Sequence, residues 1–451
     1  MKKVLLLGVA GVGMKRLAEI YVALGYSVYG IDVKENETTH YLKGLGVDIN
    51  PKEFEVDPSI EKVVYSSAIP LDNPHILKAK ELGIPVEKRG EALAELSKGY
   101  KSIVVAGTHG KTTTTSLIAE VVGKKFLSNA YIGGDHYKNS RFLEHAEYFV
   151  IESDESDKTF LLLTPEIGVV TNIDKDHLNA YDWSFDKLKD AFLEFMKHSG
   201  KLVVNRDDAN AFEVSKLLDK KVYYYSLKDT SFDAHILDYL FEKDGTSFIA
   251  QVFGEKTPLI KVHTFGEQNL SNILATILVG RILGVNFSEI EAALSNFSMP
   301  KRRLQYIGNV RGVTIFDDHA DHPTEVEATL KAIRLHNPNA SIIAVFQPHR
   351  YTRVFSLKEE IARPFYLADY VIVLPIYTAF ENPIEGITNE RVFDWIKTLN
   401  PNKNVFFASN FESVGTLVSR IVKAGDVVVT LGPGDVYLAT EQIMLKLRGE
   451  R

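Results

Sequence analysis

A chain of 451 residues, 45% hydrophobic and 25% charged, has the composition of folded globular domains, which excludes wholesale disorder, collagen and coiled coil. Lysine plus arginine number 52 and aspartate plus glutamate 59, and the resulting net charge of −7 gives no electrostatic footprint for wrapping nucleic acid. Cysteine is absent, which excludes a disulfide framework and a thiolate metal site and fits a reducing cytoplasm, and no run of about 18 apolar residues predicts a membrane span.

Residues 1–97 alternate short apolar runs with amphipathic stretches. Segments 4–7, 27–31 and 62–65 read as strands, and 14–24, 37–45 and 73–82 as helices. Such alternation predicts a parallel sheet covered by helices. Lys2 and Lys3 before an apolar run look like a leader peptide. The run passes directly into a charged helical stretch, however, so it is expected to be a buried first strand. Gly8, Gly11 and Gly13 fall between the first strand and helix, and Asp32 ends the second strand. This approximates a dinucleotide fingerprint and taken alone suggests a nicotinamide-dependent oxidoreductase. The glycines run G-x-x-G-x-G, not G-x-G-x-x-G. The loop can equally hold the diphosphate of another nucleotide, or be a tight packing turn.

Residues 98–299 restart the pattern with a strand at 102–106. Then come Gly107-Thr108-His109-Gly110-Lys111-Thr112 and a helix from Thr112. A full-length phosphate loop has four residues between its glycines; here the first would fall at Val105, so the loop is a variant. Its chemistry is unchanged. Glycines let backbone N–H groups approach a phosphate, Lys111 can bridge phosphate oxygens, and the Thr112 hydroxyl can reach Mg²⁺. A threonine-rich helix cap over Thr112–Thr115 is the alternative. Further strands are expected at 148–152, 167–172 and 201–205. Antiparallel β is expected over 220–265 around Lys243-Asp244-Gly245, and a helix over 269–283.

Two acidic segments follow strands of this block: Glu152-Ser153-Asp154-Glu155-Ser156-Asp157 and Asn172-Ile173-Asp174-Lys175-Asp176-His177. Open α/β sheets bind ligands at the carboxyl ends of their strands, so both segments are expected beside the phosphate loop, where carboxylates suit Mg²⁺. Solvated acidic loops are the alternative.

Residues 300–451 show strands at 312–316, 341–347, 369–374 and 426–431, again alternating with helices. Asp317-Asp318-His319-Ala320-Asp321-His322-Pro323 follows the first of these; a carboxylate here could accept ribose hydroxyls, or the run could open a helix. Gln347-Pro348-His349-Arg350-Tyr351-Thr352-Arg353 follows the second. Arg350 and Arg353, three apart, would share one face of a helical turn and grip a carboxylate, or form surface ion pairs.

The order of these motifs resembles the Mur ligases over essentially the whole chain. The loop 107–114, the segment 347–353 and Tyr65-Ser66-Ser67-Ala68-Ile69-Pro70 are similar to the alanine-adding branch in particular. The resemblance implies an α/β protein of three domains. A Rossmann-like UDP-sugar domain would span 1–97, an ATP-binding phosphate-loop domain with extra antiparallel strands 98–299, and a Rossmann-like amino-acid domain 300–451. It also implies a reaction: ATP phosphorylates the carboxylate of UDP-N-acetylmuramate, and an amino acid, L-alanine first among candidates, attacks the acyl phosphate. ATP and two Mg²⁺ ions would be required, in a cytoplasmic monomer or homodimer that binds neither nucleic acid nor membrane.

Residue roles implied by the resemblance are as follows. Lys111 would neutralise the transferred phosphoryl group. Thr112 and Glu152 would hold one Mg²⁺, and His177 a second. Gly107, Thr108, His109, Gly110 and Thr113 would line the ATP phosphates, and Asn269 and Asn272 the adenine. Arg302 or Arg303, with Asp318, would meet ATP from the neighbouring domain. Gly8, Gly11, Val12, Gly13, Asp32, Ser66, Ser67 and Ala68 would bind the UDP-sugar, with the Gly11 and Gly13 amides facing its diphosphate. His319, Asp321, His349, Arg350 and Arg353 would bind the amino acid. The chain departs from the family pattern at Ala10, Lys15, Arg16, Gln268, His319, Asp321 and Phe380. These positions raise a different amino acid or UDP-sugar as the alternative substrate.

Overall fold

In a computed structural model, which describes residues 2–33, 35–50, 55–133, 142–242 and 245–449, the alternating strands and helices build three separate sheets. The first holds five parallel strands in the order Asp48–Ile49, Ser27–Ile31, Lys3–Leu7, Ile60–Tyr65, Val86–Lys88. Val4, Leu5 and Leu6 are fully buried, because helices cover both faces of this central strand. Strand order reverses between Lys3–Leu7 and Ile60–Tyr65, which opens a crevice at their carboxyl ends. Gly8 and Ser66 face each other there, and a Cβ on Gly8 would lie 3.0 Å from the Ser66 Cβ.

The second sheet places Lys101–Ala106 between Tyr148–Glu152 and Ile167–Val170. Both acidic segments therefore emerge on either side of the phosphate loop, as expected from the sequence. Ile103, Val104 and Val105 are fully buried. Each contributes about 1.5–3 kcal/mol of transfer free energy to keeping this strand central. The reading of 220–265 as wholly antiparallel is corrected. Val222–Ser226 runs parallel to Lys201–Asn205 and to Ala234–Glu242. Antiparallel pairing begins only between Ala234–Glu242 and Gly245–Val252. The turn at Lys243-Asp244 lies outside the described residues.

The third sheet orders Gln305–Val310, Val313–Asp318, Val427–Leu431, Ile342–Phe346, Tyr370–Val373 and Asn404–Phe407. Only Gln305–Val310 pairs antiparallel. The loops after residues 318, 346 and 431 thus leave adjacent strands side by side and face the second sheet. No helix among the described residues is long and apolar enough to cross a membrane.

Candidate active site between the domains

Three helices start after a glycine with no side-chain cap: Val12–Ala23 after Gly11, Lys111–Val122 after Gly110 and Glu267–Ile282 after Gly266. By contrast Asn36, Asn73, Ser184 and Asp208 accept hydrogen bonds from the first turns of their own helices. An uncapped first turn leaves its N–H groups for an anion. The first two of these are the helices that the glycine patterns single out.

In the phosphate loop, Gly107 has φ 139° and Gly110 φ 80°. A Cβ on Gly110 would lie 2.8 Å from Asn272 Oδ1, so the loop packs directly on the helix Glu267–Ile282. The Lys111 ammonium folds over the loop and donates to Gly107 O at 2.6 Å, Thr108 O at 3.1 Å and Glu155 Oε2 at 2.8 Å. Burial opposes its charge, but Glu155, Asp154 and Glu152 outweigh burial and hold its pKa above the ordinary lysine value. Burial pushes the Glu155 carboxyl up to about 8, with Lys111 offsetting part of the effect and Asp154 adding to it.

The expected metal-ligating residues fall into two groups. The Thr112 hydroxyl donates to Glu152 Oε1 at 2.7 Å, and Gly133 N donates to Glu152 Oε2 at 2.6 Å. His177 lies instead with Asp154 and Glu155, and one ligand atom from each falls within 4.8 Å of the others. Burial, Arg353 and Lys111 lower the His177 pKa, Asp176 working against them, which favours the neutral imidazole that a cation would need. The sequence reading pairs Glu152 with Thr112 and names no partner for His177; the fold brings Asp154 and Glu155 beside His177. Both groups fit a divalent cation: hard carboxylate oxygens with one imidazole, and Glu155 Oε1 buried without a hydrogen-bond partner.

His109 bridges two domains. Its Nε2 lies 3.1 Å from Asp174 Oδ2 and its Nδ1 3.1 Å from Glu325 Oε1. Burial disfavours the imidazolium, but Glu325 and Asp174 prevail and push its pKa up to about 10. Thr324 Oγ1 donates to Asp174 at 2.6 Å, and the His322 ring lies tilted against His109 with ring centroids 4.8 Å apart. The sequence reading gives Glu325 no role; it lies two residues after Pro323, in the first turn of the helix Pro323–His336.

Arg302 and Arg303 have different surroundings. Arg302 pairs with Asp317 at 2.9 Å and donates to Gly432 O, Pro433 O and Gly434 O at 2.5, 3.1 and 2.8 Å. All its nitrogens are committed within the third domain. The charge of Arg303 instead reaches Glu152, Asp318, His319 and Glu325. Asp318 accepts from Leu304 N at 2.6 Å and Ala320 N at 2.9 Å, and burial pushes its pKa up to about 6. Burial and Arg303 push the His319 imidazole down to about 3.

The two arginines expected to share a helical face do not. Arg350 precedes the helix Tyr351–Leu357 with φ 61° and is exposed; its N–H donates to Tyr377 O at 2.8 Å, which pins this backbone. Arg353 is largely but not fully buried and pairs with Asp321 and, at 2.9 Å, with Asp176 of the second domain. Burial works against the Asp321 carboxylate, but Arg353 pushes its pKa down to about 2. Asp321 thus has a partner inside the protein, and His349 stands 3.6 Å from it while stacking on Tyr377. Phe380 takes φ 67°, a conformation easy for glycine, and is 86% exposed.

In the first domain the Gly11 N–H turns back to Gly8 O at 3.2 Å and so does not point outward as expected. Asp32 Oδ2 accepts from Ala10 N at 2.9 Å, bracing the loop. Ser66 N donates to Leu7 O at 3.0 Å, and Ala68 N to Ser66 Oγ at 3.4 Å, which sets Ser66, Ser67 and Ala68 opposite the glycines. Lys15 lies over the Tyr41 ring at 4.9 Å, and Arg16 is buried against Ala130 O of the second domain, so Arg16 faces away from this crevice. Asn269 Nδ2 donates to Thr264 Oγ1 and Phe265 O, both at 3.0 Å. Beside it, a cleft of about 410 Å³ runs between Gln268 and the helix Pro323–His336.

Residues 3–101 match the Mur ligase family catalytic domain, 105–280 the Mur ligase middle domain, and 302–434 the Mur ligase glutamate ligase domain. A UDP-N-acetylmuramate–L-alanine ligase of Dictyoglomus turgidum is 39% identical, over 99% of this chain and 97% of that protein. The chain belongs to the Mur ligase family. One from Sulfurihydrogenibium is also 39% identical to this Mur ligase, over 96% of the chain and 95% of that protein. Among solved structures, a UDP-N-acetylmuramate-alanine ligase from Thermotoga maritima is similar with a TM-score of 0.79 and 25% identity, each chain covered fully. A murein peptide ligase from Psychrobacter arcticus, at TM-score 0.69 and 24% identity, shares the fold, with 100% of this chain and 99% of that one covered. Membership in this family sets aside the nicotinamide reading of the first glycine loop.

Proposed function

We propose that this Mur ligase joins L-alanine to the lactyl carboxylate of UDP-N-acetylmuramate at the expense of ATP. The observation that carries the reading is the position of Lys111. It lies in a phosphate loop flanked by Glu152 and His177, with Arg353 of the third domain donating to Asp176 across the cleft. The relatives named above support alanine and this UDP-sugar as the substrates.

The first loop and the Ser66–Ala68 segment hold the UDP-sugar at the strand-order reversal. ATP lies along the second loop, its base in the cleft beside Gln268 and Asn269. Lys111 leaves its carbonyl partners for the γ-phosphate, and Arg303 adds positive charge from the third domain. The muramoyl carboxylate attacks the γ-phosphorus, and ADP leaves. The neutral amine of the amino acid then attacks the acyl carbonyl; phosphate leaves with the electron pair of the cleaved C–O bond, and the proton lost from nitrogen passes to solvent. Arg350, exposed beside the cleft, takes the carboxylate of the amino acid, and Arg353 shapes that end of the site through Asp321. Mg²⁺ held by Thr112 with Glu152, and by His177 with Asp154 and Glu155, would supply charge neutralisation on phosphate oxygens. Positioning and electrostatics carry the rest. Two nucleotide substrates support a cytoplasmic setting.

The test is phosphate release from Mg-ATP with UDP-N-acetylmuramate and a panel of amino acids. Release that requires both the UDP-sugar and L-alanine is expected. Release with a different amino acid, or none with this sugar, would overturn the assignment.

A further inference from the structure

We infer that Arg89 and Tyr131 are positioning residues that set the UDP-sugar loop against the phosphate centre; the inference rests on the substrate assignments proposed above. Tyr131 ends the strand Ser128–Tyr131 and is 3% exposed. Its hydroxyl donates to Gly13 O at 3.1 Å and accepts from Arg89 Nη1 at 2.7 Å. The other terminal nitrogen of Arg89 pairs with Asp157. Three segments meet at this relay: the first turn of Val12–Ala23, the start of Arg89–Ser97, and the acidic segment after Tyr148–Glu152.

The closeness depends on Gly13. A Cβ there would lie 2.7 Å from Arg89 Nη1 and 2.8 Å from the Tyr131 oxygen. The glycine that looks from sequence like a phosphate-binding residue is thus also the seat of an inter-domain contact. The neighbours of Tyr131 extend the connection in both directions. Ala130 O accepts from Arg16 Nε at 3.3 Å and Nη2 at 2.9 Å, which fixes the same helix near its start. Gly133 N holds Glu152 Oε2 at 2.6 Å, and Glu152 holds Thr112. The end of one strand therefore grips the helix of the UDP-sugar loop through residues 130 and 131, and the carboxylate of the phosphate centre through residue 133.

Neither side chain touches the phosphate loop, so they act through placement. The UDP-sugar is held on one domain and its carboxylate must meet a phosphorus held on another. A misplacement of about 1 Å at such a junction costs about 10²-fold in rate while leaving each substrate's own contacts in place. A merely cohesive contact would instead show in thermal stability and in both affinities.

The experiment uses the full chain. Tyr131→Phe removes one hydroxyl and keeps the ring in its pocket. We measure kcat, Tm, and the Kd of UDP-N-acetylmuramate and of a non-hydrolysable ATP analogue with Mg²⁺. The expected result is a fall in kcat of about 10- to 100-fold, with both Kd values within about twofold of wild type. Arg89→Ala should do the same, and Arg89→Lys should recover part of the rate, because one ammonium can reach Tyr131 or Asp157 but not fork to both. An unchanged kcat in Tyr131→Phe, or a loss of rate matched by equal weakening of both Kd values, overturns the inference. If the wild-type chain does not bind UDP-N-acetylmuramate, the functional reading fails and takes the inference with it. If it binds and turns over while Tyr131→Phe keeps full kcat, only the inference fails.

Discussion

Arg353 of the third domain donates to Asp176 of the second at 2.9 Å, joining residues 177 apart in the chain. The same guanidinium pairs with Asp321 of its own domain. Two buried carboxylates thus share one cation across a domain boundary. Arg353→Ala leaves both without a counter-charge, which typically costs about 3–5 kcal/mol. A lower melting temperature is expected, along with loss of turnover. The double variant Arg353→Ala/Asp321→Ala should melt higher than Arg353→Ala alone; if it melts lower still, the shared-cation account is wrong.

Adjacent arginines should separate stability from catalysis. Arg302→Ala deletes the pair with Asp317 and the ties to three carbonyls, so the melting temperature should fall markedly. Arg303→Ala should leave melting nearly unchanged and lower kcat by about 10²- to 10³-fold, the usual effect of removing a group that stabilises developing charge. Thermal melts and phosphate-release kinetics on both variants decide the matter, and the reverse pattern would refute it.

The His109 bridge predicts a pH signature. Its folded pKa, about 10, lies above its unfolded value, so the native state binds more protons between these limits. The stabilisation it gives is complete below about pH 6.5 and fades as pH rises through 10. The gap in melting temperature between wild type and His109→Gln should be widest at pH 6 and narrow towards pH 10. A gap independent of pH would show that His109 carries no charge in the folded protein.

Lys111→Ala should abolish turnover, by at least about 10²-fold. It should also weaken ATP binding, measured by calorimetry with an ATP analogue, more than binding of the UDP-sugar. Equal loss of both affinities would point to collapse of the loop, since Glu155 and Asp154 would then face each other without the ammonium.

Asp321→His replaces the carboxylate with an imidazole. Because Asp321 is bound to Arg353, an unaltered preference for L-alanine and a raised KM are expected. A switch in the preferred amino acid would mean that Asp321 reads the substrate directly.

The phosphate loop was legible in the sequence because its determinants are contiguous: a strand, two glycines, Lys111 and Thr112. Parallel sheets were legible for the same reason, through local alternation. Partners set by distant chain segments were not. Arg350 leaves the helix because His349 bridges to Tyr377, a contact no spacing rule contains. Arg16 looks like a crevice residue by position, yet its nitrogens find Ala130 O across a domain boundary. The parallel pairing of Val222–Ser226 follows from the sheet order and not from its own tyrosine-rich alternation.

The phosphate loop, Glu152 and His177 all belong to one stretch between Gly107 and His177, closed by neighbouring strands of a single sheet. Arg353 and Glu325 arrive much later in synthesis. A nascent chain can therefore complete its nucleotide centre on the ribosome while His109, Asp174 and Asp176 still face water, unpaired with the third domain. Translation order alone would keep the early centre from being assembled with its arginine before the last sheet has folded.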